Sequence, residues 1–289
     1  QYALIEVTSE GVVQHRHRFI EWDAGLILNL HPEHIEAHGG FERYRAAKVR
    51  FFEYIARSSR KRPRYFFINS DDEHSAYFAR AAERAKEGMT IRFGGGFMTA
   101  NYNAARAVGR AFGISDEAIE RALREFPGLP GRMEVIQKEP FLVLVDYAHT
   151  LVSLEEVYKR VRGMNPKRMI CVLGSAGGGR DKWKRPGLGA LAERYCDEIV
   201  LTNEDPFDEN PAKIMTEIRA GIRRSEGVHE VLDRREAIRR AVALAAAGDA
   251  VILTGKGSER AIRLARGEEI AWNEAREARE ALRDEARPA

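Results

Sequence analysis

Cysteine is nearly absent: the 289 residues contain two, Cys171 and Cys196. Their separation matches no metal-ligand spacing, and Cys171 falls inside an apolar run, so the expectation is a buried thiol. Long hydrophobic runs are absent too. The longest, such as Phe141–Val145 and Val251–Leu253, fall far short of the ~20 residues that span a bilayer, so no membrane segment is expected. No block of like charge exists. The 47 basic and 44 acidic side chains are interspersed and leave a net charge of +3, which argues against general nucleic-acid binding while leaving room for an anionic nucleotide. There is no repeat, no low-complexity tract, no initiator Met and no signal peptide. Gln1 runs straight into the apolar segment Tyr2–Val7, so the expectation is a piece of a longer, cytoplasmic protein. A Walker phosphate loop is also missing: in Thr254-Gly-Lys-Gly-Ser-Glu259 the glycine that would open Gly-x-x-x-x-Gly-Lys is Ala250.

What remains is a globular composition, 44% apolar and 31% charged, with short apolar runs alternating with amphipathic stretches. Strands are expected at Ala3–Val7, Gly25–Leu30, Tyr65–Ile68, Phe141–Val145, Met169–Leu173, Glu198–Leu201 and Ala250–Leu253. Helices are expected at Phe41–Ala56, Ser75–Lys86, Asn101–Phe112, Asp116–Phe126, Leu154–Val161, Pro211–Ile222 and Arg235–Ala247, with Ser115 as an N-cap. Such alternation predicts an α/β protein with parallel sheets covered on both faces. Phe126–Arg132 packs two prolines and two glycines into seven residues, which is linker chemistry. It divides the chain near residue 130 into a first domain, 1–130, and a second, 131–289.

Four segments could carry chemistry, because ligands of parallel α/β sheets gather at strand carboxyl ends. Glu6, the loop His31-Pro-Glu-His34-Ile-Glu-Ala-His38 and Lys48 could bring a carboxylate and an imidazole to a divalent metal; three histidines in a polar loop also suit a solvated surface. Asp146-Tyr-Ala-His149-Thr150 ends a strand with an acid for ribose hydroxyls and a ring for a base, or is a turn capped by Thr150. Gly174-Ser-Ala-Gly-Gly-Gly-Arg-Asp-Lys-Trp-Lys-Arg-Pro186 is a glycine-rich basic loop, either an anion site or merely flexible. Gly255-Lys-Gly-Ser-Glu259 follows a strand in the same way.

Together and in order, these segments resemble the Mur ligase family, most of all its UDP-N-acetylmuramoyl-tripeptide synthetases, from about Glu6 to Glu274. The matching stretches are Glu6-Val-Thr-Ser-Glu-Gly11, Gln14-His-Arg16, Asn29-Leu30, Glu33-His-Ile-Glu-Ala-His38 and Tyr44-Arg-Ala-Ala-Lys48. They continue with Gly131-Arg-Met-Glu134, Asp146-Tyr-Ala-His-Thr150, Arg180-Asp181 with Lys184-Arg-Pro186, Thr202-Asn-Glu-Asp-Pro206, Asp233-Arg234 with Ala237-Ile238, and Gly255-Lys-Gly-Ser-Glu259. The resemblance implies a truncated central P-loop-type α/β domain followed by a Rossmann-like domain, with a hinge at Pro127–Gly131.

It also implies an ATP-dependent ligase that converts a carboxylate of UDP-N-acetylmuramoyl-dipeptide to an acyl phosphate and joins it to an amino acid. Magnesium would be held by Glu6, His34 and a carbamylated Lys48, with His34 and Lys48 the catalytic pair. Asn101, Arg132, Asp146, Tyr147 and His149 would contact the nucleotide. Thr8 and Arg16 would contact the UDP-sugar peptide. Arg180, Glu204, Asp205, Gly255 and Glu259 would hold the incoming amino acid, with Arg180 on its carboxylate and Glu259 on its ammonium.

Departures from the family pattern are Met98 for an asparagine, Glu10 for a histidine, Leu151 for a proline and Phe207 for the arginine that meets a distal carboxylate in diaminopimelate-adding members. The last favours an acceptor such as lysine. Family members also carry a Gly-Lys-Thr phosphate loop and a uridine-binding domain upstream of the Glu6 segment, so the chain alone is expected to be inactive on ATP, with the missing N-terminal region as its partner. Two other readings stay open: another amide ligase of the superfamily, of cyanophycin or folylpolyglutamate type, and a non-catalytic subunit whose partner supplies the phosphate loop.

Overall fold

The computed structural model describes residues 1–33, 35–179 and 181–285, with Phe97 and Met98 described as backbone only. The chain forms two compact units, Gln1–Phe126 and Pro127–Ala289.

In the first unit, β1 (Ala24–Ile27), β2 (Arg64–Asn69) and β3 (Gly88–Phe93) form a parallel sheet in that order. The helices are α1 (Ser9–Val13), α2 (Ile35–His38), α3 (Phe41–Ser58), α4 (Ser75–Ala82), α5 (Phe97–Ala111) and α6 (Asp116–Glu125). Alternation along β2 sends Phe66 and Ile68 into one core with Tyr44, Phe52 and Ile55 of α3 and Phe78 of α4, and Phe67 into another with Ala100 and Ala104 of α5. The buried Arg64 donates to the carbonyls of Ile55 and Ala56, groups that the end of α3 leaves without partners. Ser115 caps α6 through Ala118 N.

The expected strand Ala3–Val7 does not form. A strand needs a ladder partner, and none of the described strands pairs with this segment. Its apolar side chains Leu4 and Ile5, and Tyr2 before it, are exposed. Among the described strands the sheet therefore ends at β1. The helices expected at Ser75–Lys86 and Asn101–Phe112 run instead to Ala82 and from Phe97.

The second unit is a six-stranded sheet in the order β4 (Glu134–Gln137), β5 (Leu142–Val145), β9 (Ala250–Leu253), β6 (Met169–Leu173), β7 (Glu198–Leu201), β8 (Val228–Glu230). Only the edge strand β4 is antiparallel. Period-two alternation builds its two cores. Leu144, Met169, Cys171, Leu173, Ile199, Leu201 and Ile252 face α7 (Leu151–Arg162), α8 (Arg185–Tyr195) and α9 (Pro211–Arg219). Val143, Val145, Ile170, Val172, Val200, Val251 and Leu253 face α10 (Arg234–Leu244) and α11 (Glu274–Glu285). A hairpin, β10 (Ala261–Arg263) with β11 (Glu269–Ala271), lies outside the sheet.

Helices α8 and α11 escape the hydrophobic-pattern reading for opposite reasons. Helix α8 carries two glycines that local propensity counts against it. Gly189 is needed because a Cβ there would sit 2.1 Å from Ile218 O. Helix α11 is charge-rich, yet it buries Glu274 against Arg234 and Glu277 against Arg235. Cys171 is not a thiol: it is disulfide-bonded to Cys196, which follows α8, with a Cα separation of 6.0 Å. Residues 25 apart are brought together by the β6–α8 crossover, which spacing alone does not reveal.

Candidate active site

In the first unit the carboxyl ends of the three strands are tied together by side chains that lie outside the sequence motifs. Asn69 donates to Leu28 O at 2.8 Å, Asp72 Oδ2 accepts Leu30 N at 2.7 Å, and Asp71 Oδ2 accepts Gly95 N at 2.6 Å. Asn103 donates to Gly94 O at 2.7 Å, while Asn101, two residues earlier, is exposed. The run Asn69-Ser-Asp-Asp72 after an apolar strand was the available signal.

Of the expected metal set, Lys48 and Glu6 are among the described residues. Lys48, half-buried on α3, lies with its ammonium 5.7 Å from the centre of the Tyr44 ring. Burial lowers its pKa, against the opposing pull of the Glu33 and Glu6 carboxylates, the two charges that reach it. Glu6 is exposed and ends no strand, and His34 lies outside the described residues. Among the described residues no three His, Cys, Asp or Glu side chains converge. The oxygen donors Glu6 and Glu33 nevertheless suit a hard cation. Thr8 caps α1, accepting Gly11 N at 3.0 Å, and Arg16 is exposed in the turn that follows. The His38 ring meets Ser9 Oγ at 3.0 Å.

The second unit gathers most of its expected residues at the carboxyl ends of β5, β9, β6 and β7. Asp146 is buried after β5, and its two oxygens accept Met133 N and Ala148 N, both at 2.7 Å. Burial raises its carboxyl, with those N–H groups pulling the other way. The Arg132 guanidinium lies 4.3 Å over the Tyr147 ring, and His149 Nδ1 donates to Tyr147 O at 2.9 Å. Burial and then the Glu259 carboxylate push the Tyr147 phenol up, so it stays a donor and reaches Glu259 Oε1 at 3.3 Å.

The acids there divide into two kinds. Lys256, 0% exposed, donates to Asp205 Oδ1 at 2.7 Å and also to Glu259 Oε2. Asp205 Oδ1 accepts Arg263 N as well, at 2.8 Å. The ammonium that Asp205 holds is thus the chain's own. Glu204 differs: it is 5% exposed, and its Oε2 has no hydrogen-bond partner. Burial pushes its carboxyl up, while His149, Arg234, Lys184 and Lys256 pull it down. Gly255, at φ +99, faces this oxygen so closely that a Cβ would come within 2.5 Å of Glu204 Oε2. The loop after β6 runs beside it, with a buried Ser175 hydroxyl that is also unpaired. Arg180 lies outside the described residues.

Residues 1–120 match the Mur ligase middle domain, and residues 131–257 match the Mur ligase glutamate ligase domain. The chain belongs to the Mur ligase family. Among relatives of this Mur ligase chain, UDP-N-acetylmuramoyl-L-alanyl-D-glutamate--2,6-diaminopimelate ligase of Thermosynechococcus vestitus is 34% identical over 98% of the chain and 63% of the relative. A UDP-N-acetylmuramyl-tripeptide synthetase of Roseiflexus is 36% identical over 97% of the chain and 64% of the relative. The Mur ligase chain thus spans less than two thirds of these relatives. A solved UDP-N-acetylmuramoyl-L-alanyl-D-glutamate--2,6-diaminopimelate ligase is 27% identical with a TM-score of 0.55, over 97% of this chain and 64% of that one. Folylpolyglutamate synthase of Mycobacterium tuberculosis, solved with ADP and AMPPCP, shares the fold, with a TM-score of 0.65 at 17% identity over 82% of this chain and 62% of that one.

Proposed function

We propose that the chain is the middle and C-terminal part of an ATP-dependent amide ligase. This ligase adds an amino acid to UDP-N-acetylmuramoyl-dipeptide in peptidoglycan precursor synthesis. The observation that carries the acceptor half of this reading is the buried Glu204 Oε2, which has no hydrogen-bond partner and faces Gly255. A buried charge without a partner is costly, and an incoming ammonium removes that cost. Lys256 already donates to both Asp205 and Glu259, so we assign the acceptor's ammonium to Glu204 in place of the Glu259 that the family resemblance implies, and its carboxylate to Arg180.

ATP supplies the phosphoryl group that turns the substrate carboxylate into an acyl phosphate, from which the amine displaces phosphate. The residues of this chain bind and orient. Asp146, Arg132, Tyr147 and His149 take the nucleotide, and Asn101 of the first unit is assigned to the nucleotide as well. Thr8 and Arg16 take the UDP-sugar peptide. Glu6, His34 and a carbamylated Lys48 hold Mg2+, a role that the half-buried place of Lys48 beside Glu33 and Glu6 supports. Carbamylation would make Lys48 an anion among carboxylates, an arrangement that calls for a cation.

The acceptor is an amino acid without a distal carboxylate. Phe207 occupies the position of the family's arginine, and a second carboxylate would stay unpaired. Lysine, ornithine and diaminopimelate are to be compared as acceptors in the whole enzyme. Preference for diaminopimelate would overturn the acceptor assignment, and no turnover with any amino acid would overturn the ligase. The relatives, muramoyl-peptide ligases by name, do not favour the cyanophycin-type, folylpolyglutamate-type or non-catalytic readings.

A further inference from the structure

Two stretches meet at Glu204: residues 174–179 after β6 and residues 202–210 after β7, which carries Glu204 itself. They are fastened to each other at several points. Gly177 N donates to Asp205 O at 2.7 Å, and a Cβ on Gly177 would lie 2.1 Å from Pro206 O. Gly178 packs on the Phe207 ring in the same way. At the far end, Glu209 Oε1 accepts Gly179 N at 2.7 Å. Its other oxygen meets Arg185 Nη1 and Lys182 Nζ, both at 3.1 Å. Arg185, with no side-chain exposure, also donates to Ala176 O at 3.0 Å and to Glu217 Oε2 at 2.5 Å.

We propose that Glu209 is a positioning residue that holds the 174–179 stretch in place beside the acceptor amino acid. One carboxylate oxygen holds the loop's backbone and the other holds the buried cation that grips the same loop from below. Glycines at 178 and 179 lie in the left-handed region, with φ of 69° and 73°, so this stretch is intrinsically permissive and takes its shape from what binds it. Glu209 supplies that binding. Glu217 shares Arg185 but touches no atom of the loop among the contacts above, so it separates loop positioning from burial of the Arg185 charge. The amino-acid site itself rests on the function proposed above.

The test compares Glu209→Gln with Glu217→Gln. The glutamine amide must turn an N–H toward Arg185 and Lys182 or toward Gly179 N–H, so the clamp loses one of its two holds. Hydrogen exchange over residues 174–179 of the chain is expected to quicken about tenfold in Glu209→Gln and stay near wild type in Glu217→Gln. In the whole enzyme, with L-lysine and in parallel meso-diaminopimelate, Glu209→Gln is expected to raise KM for the amino acid about tenfold, with kcat and KM for ATP changed less than about twofold. Unchanged exchange would overturn the clamp. Faster exchange with an unchanged amino-acid KM would overturn its role in acceptor binding, as would equal effects of the two variants. A wild-type enzyme that joins no amino acid would sink the ligase reading and the clamp's role with it, while the exchange data would still report the clamp.

Discussion

Lys256 and Glu204 show how much of this site depends on single charges. Lys256 is surrounded by two carboxylates and no solvent. Replacing it by methionine leaves Asp205 and Glu259 facing each other without a cation, and the expected loss is about 3 kcal/mol in urea unfolding. Glu204→Gln should leave folding intact or strengthened, since it removes a buried carboxylate with one oxygen lacking a hydrogen bond, while raising the acceptor KM by about a hundredfold. Loss of stability with an unchanged KM would remove Glu204 from the acceptor site.

The pH dependence follows the same charges with two signs. Burial raises Glu204 and Asp146. The folded chain holds their protons more tightly than the unfolded one, so their contribution to stability is present at low pH and fades as pH rises through their raised values. Glu209 has the opposite sign. Burial alone would raise it, but Gly179 N–H, Arg185 and Lys182 outweigh that and bring it from 4.5 down to about 2. Its contribution is full above pH 4.5 and is lost as pH falls toward 2. Urea titrations between pH 5 and 3 should therefore show a shallower acid loss in Glu209→Gln than in the wild type.

At the scale of elements, close approach matters more than propensity. Helix α8 meets the end of α9 through Gly189 and Gly221; a Cβ on Gly221 would stand 1.8 Å from Pro186 O. Gly189→Ala improves helix propensity by about 1 kcal/mol yet should destabilise the second unit by about 2 kcal/mol, because backbone rather than a flexible side chain stands in the way. A raised melting temperature would refute that packing argument. Helix α7 opens with a capping box between Thr150 and Ser153, so the turn reading of Thr150 holds, and it leaves Asp146 and Tyr147 available for the nucleotide role proposed for them. Strands β5, β6, β7 and β9 were legible because every second residue is apolar on each face. Strand β3 was not, since its burial is confined largely to Phe93, and the three-residue β8 sits at a sheet edge.

At the scale of the whole molecule, the Cys171–Cys196 bridge ties β6 to the end of α8 and closes a loop that contains the entire 174–184 segment. Reduction should lower unfolding stability by roughly 3 kcal/mol, the value for a loop of this size. Equal melting with and without dithiothreitol would show that the bridge does not contribute. The chain holds no Walker phosphate loop, so by itself it is expected not to turn over ATP, which a phosphate-release assay checks directly.

Local sequence determined the α/β alternation, the caps at Ser115 and Thr150, and the ordered motifs that mark the Mur ligase family. These are short-range properties, written in periodicity and in neighbouring residues. Tertiary structure decided which charges are spent and which are left. Lys256 takes Asp205 and Glu259 across 51 and 3 residues, β9 inserts between β5 and β6, and Ala3–Val7 stays unpaired. The physical reason is that a buried charge or a ladder hydrogen bond is settled by whatever group the fold brings within about 3 Å, a distance that sequence order does not encode.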